Sequence, residues 1–494
     1  MKPMKSILAA SLFVLATGVS AFAARSDLVL GIVLEPPHLD PTASAAAAVD
    51  EVVYANVFEG LTRIGPNGQV EPALAEKWDI SEDGKTYTFH LHTGVKFHDG
   101  TGFDAEDVKF SLDRARADDS TNAQKGLFAA IDSVEVVDPA TVKVMLKQPQ
   151  GAFLYNMGWG DAVMVAPESA GTNKEKPVGT GPFKFENWAK GSSITIVKNP
   201  DYWGDAVALD KAEFRIVPDA AAAVPALLSG DVQAFPQFPA GDALPQVQAD
   251  PRFKVVIGAT EGETILATNN KKPPFDNIKV RQAIAHTLDR KAIIAGASAG
   301  GNGVPIGSHF SPANKDYIDL TGTYPHDIAK AKELMKEAGL ENGFKATIKL
   351  PPPAYARDGG QIIASELKEI GIDLEIIPVE WAQWLEQVFK GKDYDLTIVS
   401  HTEPNDIGIY ARKDYYFNYD NPEFDKVIAD LDVTADPAKR SELLKTAQTI
   451  LAKDAVNGFL FELPKVGVWD AKVEGLWENS PIQANDLTKV HWVD

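Results

Sequence analysis

Hydrophobic positions along the chain alternate between two periods, and this alternation carries most of the fold information. A buried apolar run at residues 28–33 predicts a strand that stops at Pro36-Pro37, and residues 43–61 predict a helix with Val52, Val53, Val57 and Phe58 on one side. Residues 78–80 and 86–91 flank the Asp83-Gly84 turn, and Tyr87, Phe89 and Leu91 alternate with Thr86, Thr88 and His90, which predicts a hairpin. Asp104 precedes an amphipathic helix over 105–114 with an acidic first turn. Strands follow at 131–137, 141–146, 183–188 and 193–197, then an alanine-rich helix at 220–228 ending at Gly230. Beyond residue 265 helical periods dominate, at 276–294, 326–338, 360–370, 380–389 and 438–453, with strands at 346–350, 373–378 and 395–399 between them. Strands and helices that alternate rather than segregate define an α/β protein. At 494 residues the chain exceeds the roughly 250–300 at which one core stops growing, so several domains are expected.

The amino terminus changes how the composition is read. Lys2 and Lys5 precede an apolar stretch at 7–16 and the small-residue sequence Ala21-Phe22-Ala23, the order of a cleavable secretory signal over residues 1–23. Its removal takes the formal charge from −21 to −23. That acidity opposes nucleic-acid and anionic-membrane partners. The absence of cysteine excludes disulfides, thiolate metal sites, a cysteine nucleophile and an amino-terminal lipid anchor. An exported, unanchored, cysteine-free protein fits a bacterial periplasm.

Several segments together resemble the extracytoplasmic solute-binding proteins of peptide-type ABC transporters, the family 5 or cluster C group of oligopeptide, dipeptide and nickel binders. The longest match is LAEKWDISEDGKTYTFHLHTGVKFHDG at 74–100, continued by FDAEDVKFSL at 103–112. In order along the chain, support comes from Leu39-Asp40-Pro41, PVGTGPF at 177–183, NPDYWG at 199–204, PPFDN at 273–277, VRQA at 280–283, Asp289-Arg290 and NPEFD at 421–425. His92 departs from the Lys or Arg usual at that place. The resemblance implies an α/β two-lobe, type II clam-shell with an inserted subdomain. Its first lobe would comprise 24–60, 178–262 and 471–494, its insertion 61–177 and its second lobe 263–470, with the hinge near 262–268 and 466–471. It also implies a monomeric periplasmic receptor with no cofactor and no catalytic activity, which hands a peptide or peptide-like solute to an ABC permease.

The densest polar patch follows the strand at 395–399, where ligand groups are expected at the carboxyl end of an α/β strand. It contains His401, Glu403, Asn405, Asp406 and Tyr410. By resemblance, Asp406 is expected to pair with a ligand ammonium, with Glu403 as its rival; the competing role for Asp406 is a turn or helix cap. Arg357, beside Tyr355 in the loop after 346–350, is a candidate clamp for a carboxylate, although its spacing fits the family poorly. Trp384, three residues from Trp381, is a candidate ligand wall, against ordinary core packing. In the first lobe Glu35, His38 and Ser44 flank the end of the first strand, and Tyr54 is expected in the core. His90, His92 and His98 offer metal-ligating atoms, but an ordinary strand face accounts for them and no metal site is expected. Gly296-Ala-Ser298-Ala-Gly300 matches the hydrolase elbow G-x-S-x-G, but follows a helix instead of a strand. Other solutes compatible with this reading are opines, amino-acid conjugates, oligosaccharides and nickel complexes. Outside solute transport, the alternatives are a secreted hydrolase acting through Ser298 and a chaperone or signalling receptor of the same fold.

Overall fold

A computed structural model describes residues 25–43, 46–403, 406–434 and 436–493. The signal segment 1–23, Ser44 and Asn405 lie outside the described residues. Two large mixed sheets organise the chain. The first orders its strands as Phe253–Gly258, Lys465–Asp470, Ala234–Phe235, Asp27–Ile32, Lys211–Ile216, Ser193–Lys198 and Phe183–Ala189. The second runs Val304–Pro305, Gly458–Glu462, Glu263–Thr268, Leu396–His401, Phe344–Leu350 and Ile372–Pro378. A four-stranded antiparallel sheet, Ala75–Ile80, Thr86–Leu91, Thr141–Leu146 and Ile131–Asp138, carries its own core around Phe89, Val108 and Phe128.

Both faces of the second sheet are covered. Ile265 and Val399 point into a core with Phe424 and Leu451, whereas Leu266 and Ile398 point into one with Ile284 and Ile363. Strands buried on both sides read as continuous apolar runs, which explains the weak period of two in 263–268 and 396–401. The strand Lys465–Asp470 pairs with Phe253–Gly258 in the first sheet, earlier than the expected change of lobe at residue 471.

Local chemistry explains where the elements start and stop. Asp104 accepts the Glu106 N–H at 2.8 Å and forms a capping box with Asp107, starting the helix Ala105–Arg116. The apolar pattern at 43–61 folds as a shorter helix, Ala47–Val53, because Tyr54 turns extended, Ala55 adopts φ 56° and Asn56 caps Val52 through its side chain. The predicted helix 276–294 is broken into Ile278–Thr287 and Arg290–Ala297, since Asp289 accepts the Lys291 and Ala292 N–H groups and starts a new helix. The aromatic turn at 199–204 also has a physical role. Tyr202 and Trp203 donate to the buried Glu59 at 2.8 and 2.9 Å, and Thr180 donates to it at 2.7 Å, joining the PVGTGPF segment to the first lobe.

Asp50 and Asp161 are packed together where the helix Ala47–Val53 meets the four-stranded subdomain. Burial pushes the Asp161 carboxyl up to about 7, and burial followed by repulsion from Asp161 raises Asp50 further above the usual range. A raised carboxyl contributes stability that is fully present below the unfolded value near 4 and is lost as pH rises through about 7. Asp161→Asn should therefore raise the melting temperature at pH 8, by up to about 4 kcal/mol in stability, and the gain should vanish near pH 4 in thermal melts across that range.

Candidate functional site

A cavity of about 770 Å³ opens between the four-stranded subdomain and the second sheet's lobe. Tyr155, Asn156 and Trp159 line it from the subdomain, and Glu261, Asp316, Glu403 and Arg440 from the other side. Across its mouth the Gly151 N–H donates to the Asp432 carbonyl at 3.1 Å. A Cβ on Gly151 would collide with the Arg440 guanidinium and the Thr434 carbonyl, so the close approach requires glycine.

The cavity wall lies beside the place where the chain crosses between the two sheets. One crossing joins Phe253–Gly258 to Glu263–Thr268, and the other joins Gly458–Glu462 to Lys465–Asp470. The Thr260 N–H donates to Glu462 at 2.8 Å, its hydroxyl donates to the Leu463 carbonyl at 2.6 Å, and the Leu463 N–H donates to the Gly262 carbonyl at 2.6 Å. The second-sheet strands thus bring a row of polar side chains to one edge: Glu263 is the register partner of Glu462 on one side and of His401 on the other. Directly paired residues in antiparallel strands project from the same face, so the three side chains share one side of the sheet.

Asp406 adjoins this row. His309 Nε2 lies 2.7 Å from its Oδ1 and His401 Nδ1 3.4 Å from its Oδ2. The second nitrogen of each imidazole faces a tyrosine hydroxyl: His309 Nδ1 lies 3.2 Å from Tyr410 and His401 Nε2 3.0 Å from Tyr416. Asn457 donates to the Tyr410 hydroxyl at 2.9 Å. Burial acts to raise the Asp406 carboxyl, but the attraction of His309 and then the hydrogen bonds to both imidazoles outweigh it and hold the group below its usual range. The neighbouring acids respond the opposite way. Burial, then repulsion from Glu462 and Asp406, pushes Glu261 up to about 8, and burial pushes Glu462 up to about 7.

The structure brings His401, Asp406 and Tyr410 together and places Glu403 on the cavity wall. It separates the other expected residues from that cluster. Arg357 spends its guanidinium on the Pro351 and Val379 carbonyls, at 2.9 and 3.1 Å, which fixes its own loop. Tyr355 accepts the Ser400 N–H at 3.2 Å behind the strand. Trp384 is packed in the second lobe's core, 3% exposed, where its indole N–H donates to Thr397 at 2.9 Å, and Trp381 stacks over it with ring centroids 5.2 Å apart. Glu35 accepts from the Trp188 indole and the Gly191 N–H at the far edge of the first sheet, and His38 accepts the Asp40 N–H. Tyr54 is core, as expected, with its hydroxyl on the Gly158 carbonyl.

His90, His92 and His98 each have a separate partner: Asp79, the face of Trp203, and the Gly181 carbonyl. Ser298 stands at the end of the helix Arg290–Ala297, and among the described residues nothing hydrogen-bonds its buried Oγ, so neither the strand-to-helix elbow nor a base is present. Sequence patterns missed His309, Glu261, Glu263 and Glu462. Their signal is weak, because Glu263 and Glu462 are single acids at the ends of apolar runs, FLFE at 459–462 being the clearest.

Trp384→Ala should lower the stability of the protein by about 3–5 kcal/mol, because it removes a large buried ring and orphans the Thr397 hydroxyl contact. Urea unfolding measures the loss; a change below about 1 kcal/mol would place this ring outside the core.

Comparison with known proteins agrees with this architecture. Residues 69–406 match the model of the bacterial extracellular solute-binding proteins, family 5 Middle. A glutathione-binding protein of Pectobacterium atrosepticum is 31% identical over 92% of this chain and 92% of its own. The dipeptide-binding protein of Escherichia coli is 31% identical over 78% of this chain and 80% of its own. Among solved structures, the ABC transporter-associated periplasmic binding protein DppA from Helicobacter pylori, in complex with the peptide STSA, superposes with a TM-score of 0.80 at 28% identity, over 94% of this chain and 98% of that one. These relatives are binding proteins, and among the described residues no helix is long and apolar enough to cross a membrane. The chain belongs to the family 5 bacterial extracellular solute-binding proteins.

Proposed function

We propose that this protein is a free, monomeric periplasmic receptor that captures a small zwitterionic, peptide-like solute in the 770 Å³ cavity and delivers it to an ABC permease without chemical change. The observation that carries the reading is the charge pattern of the cavity wall: Asp316 and Glu403 as acids, Lys315 and Arg440 as cations, among apolar residues such as Leu127, Leu154 and Trp159. A zwitterion needs both signs within one enclosure, with enough apolar surface to exclude water. Glu403 replaces Asp406 as the group that addresses the ammonium, since Asp406 is already committed to two imidazoles. Arg440 replaces Arg357 on the carboxylate side because it lines the cavity, where its Nη1 donates to the Leu431 and Thr434 carbonyls at 2.7 and 3.1 Å. The dipeptide- and glutathione-binding relatives support a solute of this size and charge.

The test is calorimetric titration with a set of di- and tripeptides and their N-acetylated forms. A free amino terminus should bind at least about 10-fold more tightly than its acetylated form, and Glu403→Gln should erase that preference. Equal affinity for both forms would overturn the assignment.

Closure supplies a second readout. Gly151→Val blocks the approach of the subdomain loop to Arg440 and Asp432, so it should weaken solute binding by about 10-fold or more in the same titration. X-ray scattering of that variant should show no compaction on adding solute.

A further inference from the structure

The row at the sheet crossing contains more buried charge than solute capture uses. Asp406, Glu261, Glu263 and Glu462 lie close enough to perturb one another, and among the described residues no Lys or Arg side chain makes an ion pair with any of them. The imidazoles of His309 and His401 both contact Asp406. Buried charges without a partner are costly, and nature satisfies them by protonation, by an ion pair or by a metal. One ligating atom from each of His309, His401 and Asp406 lies within 4.8 Å of the other two, while His309 is 0% and His401 7% exposed. Glu263, 3% exposed and beside His401 in the ladder, keeps an Oε2 that no donor among the described residues reaches.

We propose that His309, His401 and Asp406 bind one divalent first-row transition-metal ion of the zinc, cobalt or nickel kind, with its remaining position open. Two imidazoles and carboxylate oxygen form a donor set suited to these ions. A tetrahedral ion with bonds of about 2.0–2.2 Å needs donors roughly 3.4 Å apart, which small rotations of these side chains provide. The remaining ring nitrogens satisfy the other requirement of such a site. With the metal on His309 Nε2 and His401 Nδ1, the ring protons reside on His309 Nδ1 and His401 Nε2, where the Tyr410 and Tyr416 hydroxyls accept them. The ion enters from the cleft, whose wall includes Glu261 two residues from Glu263. This site does not rest on the identity of the transported solute.

The experiment uses the full mature chain, stripped with a chelator and titrated with Co²⁺ alone. Expected are one bound equivalent, visible ligand-field absorption and a raised melting temperature, with Zn²⁺ displacing the colour. His309→Gln and Asp406→Asn should abolish the absorption, and Tyr416→Phe, which keeps the ligands and the packing, should weaken binding by about 10–100-fold. Circular dichroism of each variant separates metal loss from unfolding. Replacing His90, His92 and His98 together by Gln should change nothing. The proposal fails if the wild-type protein binds no equivalent of Co²⁺, if folded His309→Gln and Asp406→Asn bind it undiminished, or if the signal follows the His90, His92 and His98 variant instead.

Discussion

Everything functional in this molecule depends on two short chain crossings being bonded to each other. Thr260, Gly262, Glu462 and Leu463 exchange three hydrogen bonds, so the connections between the two large sheets form one double-stranded strap. A third element is tied in by Ser311, whose hydroxyl donates to the Thr260 carbonyl at 2.7 Å and which follows His309 by two residues. Separate single connections would leave two lobes loosely tethered, with the default freedom of domains in one chain. The paired crossing ties the two sheets together at one place, beside the strand ends that carry Glu263, His401 and Glu462.

The strap also explains why the polar side chains gather there. Within the second sheet, Ile265, Leu266, Val399 and Ile398 are covered on both faces and leave no place for a charge. The first residue of one strand and the last residues of its neighbours escape that constraint, because beyond them the layers part and the cleft begins. Glu263 opens its strand, while His401 and Glu462 close theirs. Ligands in open α/β folds bind beyond the strand ends for this same reason.

Much of the fold was legible because its punctuation is local chemistry. Asp104, Asp219, Asn277, Asp289 and Asn421 each cap a helix through a side-chain oxygen, and Gly84 and Gly230 take the positive φ of their turns. Elements escaped the pattern where pairing is long-range. The strands Lys211–Ile216 and Lys465–Asp470 gain their place from partners far away in sequence, and the split at Leu288 in the predicted helix 276–294 depends on one capping aspartate inside a helical period. The candidate site was half legible for the same reason. The segment 401–410 stands out as a polar patch after a strand, but Arg357 and Trp384 could not be assigned from residue type, since their partners are carbonyls and core rings supplied by the tertiary fold. His309 is distant in sequence from the patch it completes.

The acidity of the chain gains a location from this arrangement. A formal charge of −21 spread over the surface of a large protein is screened by salt and costs little. Four acidic side chains beside one crossing are buried, and burial together with their neighbours' charge favours the protonated form of Glu261, Glu263 and Glu462. The arrangement persists because His309 and His401 hydrogen-bond Asp406 at one side, and because Glu462 spends one oxygen on the Thr260 N–H. The crossing thus gathers its ionisable groups where Thr260, Glu462 and Leu463 bind the two sheets to each other, and any change of charge there is felt by the connection itself.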